Sequence, residues 1–125
     1  MPAGNNPRTI NGPATIVVTA VGSNIPTGGS GSALINPAAN TFWVVKHIRL
    51  TNTDSTARTV TLYKGATGGS ANGTQLCSAK SIPANDVVDL YFPSGDRWTT
   101  ADFMSGFAST ASVVTIECFG EIYAA

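Results

Sequence analysis

The chain predicts an all-β fold, an antiparallel β-sandwich of Ig-like or jelly-roll type with seven to eight short strands and an extended N-terminal arm. Three observations carry that expectation. Short runs rich in Val, Ile, Thr and aromatic residues are separated by Gly, Pro, Asn and Ser clusters. No stretch has the apolar spacing of a useful amphipathic helix. The last run, Ser112 to Tyr123, alternates Val114, Ile116, Cys118, Gly120 and Ile122 with Thr115, Glu117, Phe119, Glu121 and Tyr123, so one face is aliphatic and the other is not.

Taken in order, Met1 to Pro13 holds three prolines and almost no apolar side chain, and reads as an arm that cannot pack by itself. The folded domain is expected over 14–125, beginning with a β-branched strand, Ala14 to Val21. Gly22 to Ser32 reads as a glycine-rich loop, and Pro37-Ala38-Ala39-Asn40 as a corner, since proline removes a ladder donor.

Asn40 to Lys64 is expected to form a central β-hairpin turning at Asn52 to Thr56, where short polar side chains can bond their own backbone. Its first strand requires a bulge or burial on both faces, because Phe42-Trp43-Val44-Val45 is unbroken while Ile48 and Leu50 alternate with His47, Arg49 and Thr51. In its second strand Val60 and Leu62 face inward, and Thr59, Thr61 and Tyr63 outward. A tip at Gly65 to Thr74 and a short strand, Gln75 to Ile82, follow. A second Pro-Ala corner, Ile82 to Asp86, leads into a strand from Val87 to Phe92 and a turn at Pro93 to Asp96. Arg97 to Asp102 reads as a loop or one helical turn anchored by Trp98, and Phe103 to Ser109 as a strand in which Gly106 invites a bulge or a close backbone approach.

The 125 residues suit one domain able to bury its own core without metal or disulfide. Seven basic and seven acidic residues cancel and are scattered, so no stripe exists to neutralise a phosphate backbone, and nucleic-acid binding is not expected. Neither a secretory signal nor an apolar run approaching the ~18 residues of a membrane span is present, so no membrane partner is expected and the chain is expected to stay soluble in the compartment where it is made. Cys77 and Cys118 leave one disulfide open, although two buried thiols are the commoner state.

Chemistry finds little footing. The lone His47 falls on the wet face of its strand with no converging ligands, and the two cysteines lack metal spacing. Most Asp residues fall in turns, where backbone reasons account for them. Glu117 and Glu121 share a face but stand about 13 Å apart at strand rise, too far for a carboxylate pair. No catalytic residue and no cofactor are therefore expected. The remaining candidates are binding groups: the outward aromatics Tyr63, Tyr91, Phe119 and Tyr123, the anchor Trp98, and Pro7, Arg8 and Ile10 of the arm.

The marks Ile48-Arg49-Leu50-Thr51-Asn52-Thr53, Pro83-Ala84-Asn85 and Ala108-Ser109-Thr110-Ala111-Ser112, within Leu34 to Tyr123, resemble a recurrent class of small all-β proteins encoded among the virion genes of tailed bacteriophages. Met1 to Ala33 has no counterpart in that pattern. The resemblance implies a non-enzymatic structural role as a capsid decoration or cement protein on the outer capsid surface. Its partners would be the major capsid protein and copies of itself, as a homotrimer. A tail or fibre module holding a host glycan at the Gly65 to Thr74 tip or at Trp98 is the alternative.

Overall fold

A computed structural model of the chain describes residues 8–17, 19, 25, 34–65 and 75–124. Among them are seven strands and no helix: β1 (Arg8–Ile16), β2 (Thr41–Asn52), β3 (Arg58–Gly65), β4 (Gln75–Ile82), β5 (Val87–Trp98), β6 (Phe103–Ala108) and β7 (Val114–Ala124). They form two antiparallel sheets, one in the order β1-β7-β2-β5 and one in the order β4-β3-β6. The expected all-β sandwich is present. Residues 1–7, most of the Gly22 to Ser32 loop and the tip beyond Gly65 lie outside the described residues.

The topology is that of a jelly roll. The chain runs as one long antiparallel ribbon in which β3 pairs with β4, β2 with β5 and β1 with β7. The ribbon is rolled so that β7 also lies against β2, and β6 against β3. Between β1 and β2 the chain passes the open side of β6, where Ile25 N–H donates to Met104 O and Met104 N–H to Ile35 O. That is the place a further jelly-roll strand takes.

The ribbon overturns the expected central hairpin. Both sides of β2 are taken, by β5 and β7, and both sides of β3, by β4 and β6, so the two strands share no ladder. The turn after Asn52 instead carries the chain from one sheet to the other. It lies against the second Pro-Ala corner: Asn52 N–H donates to Asp86 O and Asn85 N–H to Asp54 O. The buried Asn52 side chain knits the pair together. Its Nδ2 donates to the carbonyls of Thr56 (2.9 Å), Ile82 (3.1 Å) and Pro83 (3.2 Å), and its Oδ1 accepts from Asp54 N–H. Turn chemistry of this kind is shared by hairpins and inter-sheet arches.

The expected bulge in β2 is present. Pairing with both β5 and β7 slips between Val45 and His47, and the buried positions change from Trp43 and Val45 to Ile48, Leu50 and Asn52. Lys46 is the extra residue, and it lets the unbroken apolar block and the alternating half serve the same face. β7 keeps its aliphatic side inward as expected.

Three further boundaries differ. β1 begins at Arg8, so residues 8–13 belong to a strand and not to the arm; an edge position with two register shifts tolerates Pro13. β5 does not stop at Phe92. Five steps from Tyr91 to Asp96 oppose only two from His47 to Val45, so the expected turn at Pro93 to Asp96 is a wide bulge inside one strand. Gly95 sits there at φ 77, and a Cβ on it would lie 2.5 Å from Val44 Cγ1. Arg97 and Trp98 end the strand, and Thr99 to Asp102 is a turn closed by Thr99 N–H on Asp102 Oδ2 at 2.8 Å.

The core lies between the sheets, with Ile16, Ile25, Ile35, Val45, Ile48, Leu50, Leu62, Ile82, Trp98, Met104 and Ile116 fully buried. Burial of this apolar area, at roughly 25 cal/mol per Å², is the main term holding the sandwich closed.

Candidate functional site

The side of the four-stranded sheet that faces away from the core is where the strand registers bring candidate residues together. Across β7, β2 and β5 the pairings form rows: Thr115, Thr51 and Val87; then Glu117, Arg49 and Asp89; then Phe119, His47 and Tyr91; then Glu121, Val44 and Arg97; and at the end Tyr123 beside Phe42. Aromatic and charged rows therefore alternate along the face, and cross-strand neighbours of these kinds attract one another.

The third row is a stack of three rings. His47 lies 4.5 Å from Tyr91 at 14° and 4.9 Å from Phe119 at 17°. Its Nε2 is 2.6 Å from Asp89 Oδ1, and Arg49 Nε donates to the same oxygen at 3.2 Å. Arg49 also places its guanidinium 5.5 Å above the Phe119 ring. At the far end Phe42 and Tyr123 stack at 5.2 Å, and the Arg97 guanidinium lies 4.0 Å above Phe42. Tyr123 O–H donates to Glu121 Oε2 at 2.9 Å, and this bond raises the phenol pKa by favouring its protonated form. Glu121 is buried, although it lies on the non-aliphatic side of β7.

Partial burial pushes the Asp89 carboxyl upward, but the hydrogen bonds from His47 and Arg49 outweigh it and hold the group below its usual range. Asp54 is likewise lowered, chiefly by its bond to Arg58. For a carboxylate with a depressed folded-state pKa, stability is fully present above the unfolded value near 4 and drains away as pH falls through the folded value. The protein is accordingly expected to lose stability below about pH 4, and Asp54→Asn combined with Asp89→Asn to flatten that loss while lowering stability near neutrality. Urea titrations between about pH 2.5 and 7 check this. An acid limb as steep in the double variant as in the parent would refute it.

The sequence candidates among the described residues separate into three groups. Phe119 and Tyr123 are on the outer face of β7, next to β1, which carries Arg8 and Ile10 and pairs Thr9 with Phe119. Tyr91 is at the opposite margin, on edge strand β5, and 66% exposed. Tyr63 and Trp98 are not surface groups. Tyr63, on the central strand of its sheet, is buried, and Trp98 is fully buried in the core, where Lys64 Nζ lies 5.2 Å above its ring. Trp98 therefore offers no platform to a glycan. Pro7 and the Ala66 to Thr74 part of the tip lie outside the described residues.

Sequence reasoning misses Phe42, His47, Asp89 and Arg97 as parts of this face. His47 reads locally as an ordinary wet strand residue, and only the register of three strands shows it as the middle of a stack. Cys77 and Cys118 are not joined in a disulfide; Cys118 is buried, and burial raises the Cys77 pKa. Among the described residues no three His, Cys, Asp or Glu side chains stand together as a metal site. Asp86, Asp96 and Asp102 are engaged with the Val87 amide, Lys64 and the Thr99 amide.

No protein-family model, curated protein or solved structure matches the chain.

Proposed function

We propose that the chain is a bacteriophage virion structural protein, a capsid decoration or cement protein that binds the outer surface of capsid subunits and has no enzymatic role. The observation that supports this most is the group of half-buried rings, Phe42, Tyr123 and Phe119, on the side of the β2–β7 pair turned away from the core. Aromatic rings flanked by Arg side chains are the composition of protein-binding anchors. The resemblance to phage virion proteins over Leu34 to Tyr123 is the second support.

Three of the four edge strands favour docking by a face. β1 carries Pro13 and two register shifts, β4 is interrupted at Ala79 with φ 45, and β5 bulges at Pro93 to Gly95. Interrupted edges resist strand addition from another chain. The docking surface is the β1–β7 half of the outer face together with Phe42 at its border with β2. Copies arranged as trimers around capsid symmetry axes gain avidity from repeated sites.

Counting copies in virions of the encoding phage tests the proposal. Hundreds per particle are expected, and a dozen or fewer would place the protein in the tail. Phe119→Ala with Tyr123→Ala is expected to lower occupancy at a fixed protein concentration by about tenfold or more. Full occupancy by that variant would reject the docking surface.

A further inference from the structure

We propose that Tyr91, on the open margin of β5, is a stacking platform for the apolar face of a neutral pyranose, with Asp89 as the hydrogen-bonding group beside it. This goes beyond the structural role and is independent of it, since Tyr91 lies on the opposite margin from the β1–β7 docking half.

Three observations lead there. Tyr91 is the most exposed large apolar side chain among the described residues, at 66%. Its ring is nevertheless held in place: one face rests on His47 at 4.5 Å, His47 rests on Phe119, and Asp89 fixes the imidazole at 2.6 Å. Among the described residues no strand lies on the outer side of β5, and at 66% exposure the ring keeps open the face turned away from His47. A ring ordered before binding loses little rotamer freedom when a ligand arrives, which is the usual reason exposed aromatics serve as contact surfaces.

The charges select the ligand class. A cation over Tyr91 would be favoured by an uncompensated carboxylate, but Asp89 already pairs with His47 and Arg49. An anion would need a cation free to reach it; Arg49 is committed to Asp89, and Arg97, one row along the face, lies over the Phe42 ring on the side away from the β5 margin. What remains suited is a neutral group with a flat, weakly polarised C–H face and polar atoms at its rim. A pyranose has both: its axial C–H bonds meet the negative face of the ring, and its hydroxyls reach the level of the neighbouring row. Both bonds to Asp89 fall on Oδ1, and Oδ2 takes no hydrogen bond from the described residues, so it can accept from a sugar hydroxyl.

The test is an NMR titration of the full chain with methyl β-glucoside, methyl β-galactoside, methyl N-acetyl-β-glucosaminide and, as the charged comparison, a methyl sialoside. At least one neutral sugar is expected to shift the ring resonances of Tyr91 and His47 saturably, with a dissociation constant of about millimolar order for one platform. Tyr91→Ala is expected to weaken it about tenfold or more, Tyr91→Trp to keep it, and Asp89→Asn to weaken it by a smaller factor. The exposed position makes Tyr91→Ala a folded control, verified by unchanged core resonances. The proposal is overturned if no neutral sugar shifts these rings, if the sialoside alone does, or if binding survives Tyr91→Ala. It is also overturned if Tyr91→Ala alters only association with protein, which would identify the ring as a protein contact. Capsid occupancy by the Tyr91→Ala variant separates the two proposals: it is expected to be unchanged.

Discussion

Replacing Gly106 with alanine is expected to unfold the protein or to cost about 3 kcal/mol or more. Gly106 lies in β6 opposite Leu62 of β3, at φ 144, a conformation side chains rarely adopt. A Cβ there would stand 2.1 Å from Thr61 O and 3.1 Å from Leu62 Cα. Both are backbone atoms of the paired strand, so no rotamer change relieves the contact, and β6 must part from β3. Parting them exposes Met104 and Ala108, both fully buried. Against a total stability of about 5–15 kcal/mol, this loss is decisive. Thermal and urea unfolding measure it, and a midpoint within about 2 °C of the parent would show that the strand pair is looser than its geometry. Gly95→Ala is the instructive comparison: its near contact is the Val44 side chain, which can turn aside, so a smaller loss is expected.

Asn52→Ala is expected to cost about 3 kcal/mol, a large loss for a substitution that empties so little volume. The side chain serves three carbonyls and one amide drawn from both inter-sheet corners, and the Ile82 bond is buried. Removing it strands several backbone groups at once, and unmade buried hydrogen bonds cost more than made ones contribute. Asn52→Asp keeps the acceptor for the Asp54 amide but turns a carboxylate toward three carbonyl oxygens. At neutral pH it is expected to be at least as harmful as alanine. Relative to the parent it should recover as the pH is lowered, because protonation restores one donor. Chemical denaturation of both variants decides the matter; losses under about 0.5 kcal/mol would mean that water replaces the amide at no cost.

Features set by local periodicity were legible in the sequence. The alternation of β7, the bulge forced by Phe42 to Val45 and the special position of Gly106 all follow from side-chain type and spacing, and all are present. Features set by long-range pairing were not. The polar turn after Asn52 has the same local chemistry whether the chain folds back on itself or crosses to the other sheet, and only the prior claims of β5 and β7 on β2 decide it. Pro13 argues against a strand by composition, yet an irregular edge accepts it. Tyr63 alternates correctly for an outward residue and is buried all the same, which its own strand's pattern does not encode. The face that carries the proposed function depends on a triple register, His47 with both Tyr91 and Phe119, which no local pattern encodes.

The central claim is that the β1–β7 half of the outer face docks while the β5 margin stays open. Hydroxyl-radical footprinting of the protein, free and on intact virions, tests it most directly. Strong protection of Phe42, Phe119 and Tyr123 is expected on the particle, with Tyr91 labelled equally in both states. Equal labelling of all four rings, or protection confined to the three-stranded sheet, would contradict it.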